Sequence, residues 1–266
     1  MKNICIICND KLTYRREFCK TCYSRGMKNG SILRIVKPEL PIHLTEIQED
    51  MLIGLLLGDG CLFKYKPNQN PILAITRAKK DIEYLLEQFL CFKDFCLSPP
   101  TSKDLFDKRT NKTYYQCKMV TRRAVAFNSL YNEWYPNGKK VLPKNIKITP
   151  LSMLGWFCDD GNISITKHNR CHIKLSTNGF AIDDVNLLAE NLSLFFNEKF
   201  RVNLSDGKPI IGSADNGARA FLKYIDNIFP ESMLRKATWR EEKVKFYENI
   251  SRTKTYSIIN GKYIYD

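Results

Sequence analysis

Two stretches of this chain, about one hundred residues apart, are variants of one segment. "MLIGLLLGDGCLF" begins at Met51 and "SMLGWFCDDGNIS" begins at Ser152. Each is an apolar run of helical length that ends on Asp-Gly and passes into a strand-like segment, and the pattern continues downstream. Strand-like "ILAIT" precedes the helix-period "DIEYLLEQFL" in the first copy; "CHIKLST" precedes "IDDVNLLAENLSLFF" in the second. A chain built this way folds as two copies of one α+β unit. Thr45 is placed to cap the first apolar helix, with Glu46 and Glu49 in its first turn.

The helices that follow the strands are amphipathic. Ile82, Leu85, Leu86, Phe89 and Leu90 fall on one face, and Val185, Leu188, Leu192, Phe195 and Phe196 on its counterpart. The strands alternate. Cys171, Ile173 and Leu175 point one way while Arg170, His172, Lys174 and Ser176 point the other; "RVNLS" separates Val202 and Leu204 from Arg201, Asn203 and Ser205. "YYQCKMV" groups Tyr114, Gln116 and Lys118. One sheet face is thus expected under helices, and the other carries donors and cations suited to a major groove. The charge agrees: 42 Lys and Arg against 28 Asp and Glu leave +14, with a pI near 9.3, which points to a polyanionic partner.

The apolar runs explain the aspartates. Gly54 and Gly58 lie four apart on one helix face, where missing side chains let another helix come close. If the second apolar helix is that partner, Asp59 and Asp160 emerge side by side, and two adjacent carboxylates call for cations between them. Magnesium suits hard oxygen ligands, and two metals near one phosphodiester can orient water and stabilise the leaving oxygen. Asp59 and Asp160 as simple ends of two core helices is the structural alternative.

These residues resemble the LAGLIDADG homing endonucleases of the single-chain, two-repeat kind. The motifs are "LIGLLLGDG" at 52–60 and "MLGWFCDDG" at 153–161, the second preceded by "LPKNIKITP". The resemblance implies two pseudo-symmetric αββαββα repeats, packed through the motif helices into a saddle of antiparallel sheets. Such an enzyme cuts both strands across the minor groove of double-stranded DNA at a long recognition site, acting as a monomer. By the motif, the metal ligands are Asp59 and Asp160, with Asp159 the alternative in the second copy; Leu57 and Cys158 stand where the family usually has an acidic or polar residue. It also implies a lysine near the metals in each half, for which Lys118 and Lys208 are candidates, and DNA contacts from Arg77, Arg170, His172, Lys174 and Arg201. A non-cleaving intron RNA maturase or DNA-binding protein of the same fold is the alternative function.

The first forty residues lie outside that pattern. "CIIC" and "CKTC" place Cys5, Cys8, Cys19 and Cys22 as two pairs that can close a tetrahedral Zn2+ shell with no open position, so the metal is structural. Lys11, Arg15, Arg16, Lys20, Arg25, Lys28, Arg34 and Lys37, with Tyr14, Phe18 and Tyr23 between them, read as a phosphate-gripping module. Pro38 and Pro41 interrupt the chain. The expected organisation is a zinc module at 1–41, a first repeat with linker at 42–149, a second repeat at 150–236, and an extension at 237–266 that either lengthens the DNA footprint or packs as a helix. The segments quoted include no apolar stretch of membrane-spanning length and no signal peptide, which makes an intracellular protein the expectation. A metabolic enzyme finds no phosphate-cradling glycine loop and no nucleophile–base pair here.

Overall fold

The computed structural model describes Cys8, residues 19–28, 38–166, 168 and 170–240, and the backbones of Tyr256–Ile259 and Lys262–Tyr265. Cys5 and the basic and aromatic residues at 11, 14–16, 18, 34 and 37 lie outside the described residues. The chain divides into one unit of Met1–Glu39 and another of Leu40–Asp266. In the first, helix α1 (Lys20–Lys28) buries Cys22 and Gly26, and Cys19, just ahead of it, is also buried.

The larger unit repeats one order of elements. The first copy runs α2 (Glu46–Leu57), β1 (Cys61–Phe63), β2 (Ile72–Ala78), α3 (Ile82–Phe92), β3 (Thr101–Asp107), β4 (Lys112–Val120) and α4 (Asn128–Trp134). The second runs α5 (Pro150–Asp160), β5 (Gly161–Ile165), β6 (Cys171–Ser176), α6 (Ile182–Phe196), β7 (Phe200–Ser205), β8 (Lys208–Ala214) and α7 (Asn216–Asp226). Each copy makes an antiparallel four-stranded sheet with the same order, β1-β2-β4-β3 and β5-β6-β8-β7. This is the expected pair of αββαββα repeats.

Both motif helices start at a capping box. The Thr45 hydroxyl accepts from the Gln48 N–H while the Gln48 side chain accepts from the Thr45 N–H; Thr149 and Ser152 do the same ahead of α5, where Pro150 fills the first helical position. Beyond the first turn of α2, where Glu46 and Glu49 are exposed, neither helix has an exposed side, because each packs on its partner and on the sheets. Every residue from Asp50 to Leu57 is buried, as is every residue from Pro150 to Cys158. Their crossing is set by glycine. A Cβ on Gly54 would stand 2.5 Å from the Ser152 carbonyl oxygen, and one on Gly155 would stand 3.2 Å from the Gly54 Cα.

The covering helices depart from the expected faces. In α3 the buried residues are Tyr84, Leu85, Gln88 and Phe92, while Leu86 and Leu90 are exposed. The helix turns its polar Gln88 inward because a buried arginine on β2 needs an acceptor there. In α6, Val185, Leu188, Ala189 and Leu192 are buried and Phe195 is largely exposed. The start of the carboxy-terminal stretch packs on the second repeat. Trp239 is buried against Phe157 and Phe229 and donates its indole N–H to Asp226 at 3.2 Å, so the core of the second repeat runs past residue 236. Tyr256–Ile259 (β9) and Lys262–Tyr265 (β10) pair as antiparallel strands and form no helix.

Candidate active site

The carboxyl ends of α2 and α5 carry the acids. Gly60 and Gly161 follow them immediately, where the backbone must fold back on its own helix. A Cβ on Gly60 would stand 2.8 Å from the Leu55 carbonyl oxygen, and one on Gly161 would clash with Phe157. Asp59 is left with its side chain 46% exposed, and Asp160 is half-buried. Burial raises the Asp160 carboxyl above the usual range and the nearby Asp59 charge raises it further, while Lys236, Lys140 and Arg77 pull it back.

Asp159, the neighbour of Asp160, has another role. Its side chain is fully buried and enters the space that Gly58 leaves open on α2. There it accepts a hydrogen bond from the Asp59 backbone N–H at 3.0 Å and faces Arg77 Nη2 at 2.7 Å. Burial pushes its carboxyl up to about 7 against the pull of Arg77. Of the two adjacent aspartates, Asp160 is therefore the one open to a cation.

Arg77, expected among the DNA contacts, is buried instead of lying on an outer sheet face. It is 6% exposed and bridges Asp159 and Asp59, reaching Asp59 Oδ2 at 3.1 Å. Its Nε donates to Gln88 at 3.2 Å, and the guanidinium lies over the Tyr84 ring at 4.7 Å. Burial works against its charge, but Asp159, Tyr84 and Asp59 outweigh that and hold it cationic. The physical reason is strand parity: Arg77 falls on the same side as Leu73 and Ile75, both fully buried.

The two lysines expected near the metals lie on the sheets. Lys118 lies on the outer face of the first sheet, opposite Thr76 on β2 and Thr101 on β3. Lys208 opens β8 at the exposed β7–β8 turn, paired with Ser205. The amines at the helix ends belong to Lys140 and Lys236. Lys140 donates to the carbonyls of Gly58 (3.4 Å) and Gly60 (3.0 Å). Lys236 donates to those of Phe157 (3.3 Å), Asp159 (3.0 Å) and Gly161 (3.0 Å). Gly58 and Gly60 in the first motif align with Asp159 and Gly161 in the second, so one lysine serves each half in the same way. Each adds a positive charge at a helix carboxyl end. Burial lowers the pKa of both lysines, countered by Cys61, Asp160, Asp159 and Asp59 at Lys140 and mainly by Cys158 and Asp159 at Lys236. Both follow the closing helix of their repeat, α4 and α7, and no periodicity in the sequence singled them out.

The remaining DNA candidates lie together. His172, Lys174 and Arg201 line one concavity on the outer face of the second sheet with Ser164, Asn203 and Gly212. Arg170 is exposed just before β6, its N–H held by Thr166 at 3.2 Å. In the amino-terminal unit the ligand atoms of Cys8, Cys19 and Cys22 lie within 4.8 Å of one another, and the Cys22 N–H points at Cys19 Sγ at 3.4 Å. Three converging sulfurs fit a thiolate-bound ion.

Two αββαββα repeats with an acid at each central helix end match the fold of the LAGLIDADG homing endonucleases. The sequence model of the LAGLIDADG DNA endonuclease family matches residues 49–221, and the chain belongs to that family. It is 30% identical over 200 residues to a probable intron-encoded endonuclease of Wickerhamomyces canadensis, covering 71% of this chain and 83% of the relative. It is 27% identical over 208 residues to a cytochrome b mRNA maturase of Debaryomyces hansenii, covering 72% and 76%. Among solved structures, the homing endonuclease I-WcaI bound to its DNA recognition sequence aligns with a TM-score of 0.67 and 26% identity, over 73% of this chain and 87% of that one. The protein is a DNA endonuclease of the homing type, a hydrolase of phosphodiester bonds. No helix among the described residues is long and apolar enough to cross a membrane.

Proposed function

We propose that this intracellular protein, acting as a monomer, binds a long duplex DNA site across the outer faces of its two sheets and makes a Mg2+-dependent double-strand break. The observation that carries this reading is the arrangement at the helix ends: Asp59 and Asp160 are near enough for one charge to act on the other, and each half has a lysine bound to equivalent backbone carbonyls. The donor set fits a hard divalent ion, since Asp59 and Asp160 are the acids in reach of solvent. Asp59 and Asp160 would hold the ions. When bound, Mg2+ would activate water and neutralise charge on the leaving oxygen. Lys140 and Lys236 fix the backbone from which each acid projects, and they add positive charge beside the DNA phosphates. His172, Lys174, Arg170 and Arg201 in one half, and Lys118 and Gln116 in the other, supply the groove-facing donors. Cys8, Cys19 and Cys22, with Cys5, would hold a structural Zn2+ that orders the amino-terminal unit.

A non-cleaving maturase or DNA-binding role for this chain would place no demand on two paired acids, so their presence favours cutting; the Debaryomyces relative is named an mRNA maturase. Selection of cleavable sites from a randomised duplex library in Mg2+, with Ca2+ as the non-cleaving control, tests the reading. A single enriched site with both strands cut is expected. Cleavage of no library member in Mg2+ would refute it.

A further inference from the structure

The two halves of the active site differ where the repeats should match. Cys61 pairs with Ala74, and its motif counterpart Asn162 pairs with Lys174. Counting three residues on along β2 and β6 makes Thr177 the counterpart of Arg77, as Gly58 is the counterpart of Asp159. The first repeat thus has glycine before its acid and arginine on the neighbouring strand; the second has aspartate and threonine. Asp159 fills the space beside Gly58, and Arg77 joins Asp159 to Asp59. Thr177 is fully buried and donates to the Pro209 carbonyl at 2.7 Å. The Asp59 carboxylate therefore shares one oxygen with a fixed guanidinium. The cations acting on Asp160 are Lys236, Lys140 and Arg77; the two amines are bonded to backbone carbonyls and the guanidinium is bridged to Asp159 and Asp59, so none is paired to the Asp160 carboxylate itself.

We propose that Arg77, acting through Asp59, makes the two cleavage centres unequal, so that the strand served by Asp160 is cut first and the strand served by Asp59 second. This rests on the reading that each aspartate serves one strand. An ion entering at Asp59 meets a guanidinium 3.1 Å from the carboxylate it must use, whereas Asp160 offers its carboxylate without such a competitor. Two consequences follow for the wild-type protein. Duplex nicked in one strand accumulates, and the second cut needs more Mg2+ than the first. Arg77 is a positioning residue, since it holds the carboxylate and touches no reacting atom.

The test uses the full chain and a selected cleavable duplex labelled on each strand, with both cuts followed in time over a range of Mg2+. Ca2+ binding to the uncut complex, titrated by calorimetry, is a readout independent of cutting, in which Asp160→Asn should remove the tighter site and Asp59→Asn the weaker. The Asp59→Asn and Asp160→Asn variants assign each strand to its acid. At limiting Mg2+ the Asp160 strand is expected to lead by about tenfold, the rate equivalent of about 1.4 kcal/mol. The paired variant Arg77→Thr with Asp159→Gly gives each half the residues its counterpart carries. There the lead should shrink and the two Mg2+ requirements converge, whereas a purely structural loss would slow both cuts alike. Arg77→Lys, which keeps a cation beside Asp59, should preserve the order. Should the paired variant fail to fold, the wild-type Mg2+ dependence of each strand still decides. Equal rates and equal Mg2+ requirements in the wild type, or an unchanged lead in a folded paired variant, would overturn the inference and leave the endonuclease reading intact. A wild-type protein that cuts neither strand would overturn that reading itself.

Discussion

The Asp159 carboxylate, from the second repeat, accepts a hydrogen bond at 3.0 Å from the backbone N–H of Asp59 in the first. The carboxyl end of α2 is thereby held by α5, and the acid on it points out of the interface. Because Gly58 has no side chain, Asp159 can reach that N–H without displacing either helix. The position of one candidate metal ligand thus depends on the helix that delivers the other.

Asp59→Asn and Asp160→Asn should each abolish double-strand cleavage while leaving DNA affinity near wild type, because amide oxygens are weak ligands for a hard cation. Gel-shift titration in Ca2+ alongside cleavage in Mg2+ separates the two effects. Loss of binding would instead make these residues structural ends of core helices.

Lys236→Met should slow cleavage by about 10- to 100-fold, the range seen when a group that orients a metal ligand is removed. Lys118→Met should weaken binding and leave the cleavage rate at saturating DNA unchanged. Single-turnover kinetics with excess enzyme distinguish these outcomes, and the reverse pattern would return the active-site role to the sheet lysine.

Gly54→Ala places a methyl group 2.5 Å from the Ser152 carbonyl oxygen, so α2 and α5 must separate. The expected loss is about 1–3 kcal/mol, the usual cost of overpacking a filled interface. Thermal unfolding should show a fall in Tm of roughly 2–4 °C per kcal/mol. An unchanged Tm would mean that the crossing is looser than the geometry requires.

The Asp160 carboxyl is raised by burial and by Asp59. A raised carboxyl keeps its proton to higher pH, so protons compete with Mg2+ for Asp160 above the pH at which an ordinary aspartate would titrate. Cleavage should therefore fall on acidification from a higher pH than that, and the midpoint should move down as Mg2+ increases. A pH–rate profile at two Mg2+ concentrations reads this directly; a midpoint independent of Mg2+ would assign the acid limb to another group.

Cys19→Ser with Cys22→Ser should remove one equivalent of zinc, measured by atomic absorption, because two of the three converging sulfurs are lost. Equal zinc content in the variant and wild-type proteins would remove the site.

Much of the fold could be read from the chain. The motif repeat placed α2 and α5, and Thr45 was recognisable as a cap because a side-chain acceptor before an apolar run has a local signature. The outward placement of His172, Lys174 and Arg201 followed from alternation alone. Arg77 shows the same rule neglected: its parity with Leu73 and Ile75 put it inside, but its charge suggested a surface. Lys140 and Lys236 were not legible, since Lys140 lies in irregular chain and Lys236 ends a short 3-10 helix, both beyond a closing helix where no periodicity marks which carbonyls they will reach.

What the sequence determined by itself was local and periodic: two glycine-bearing helices, each ending on an aspartate, and strands with one polar face. What only the tertiary structure decided was the use of neighbouring residues. Asp159 and Asp160 are adjacent in sequence, but consecutive helix positions point about 100° apart. Only the packing of α5 against the bare backbone at Gly58 determines that Asp159 turns into the interface to meet Arg77, leaving Asp160 partly open to solvent.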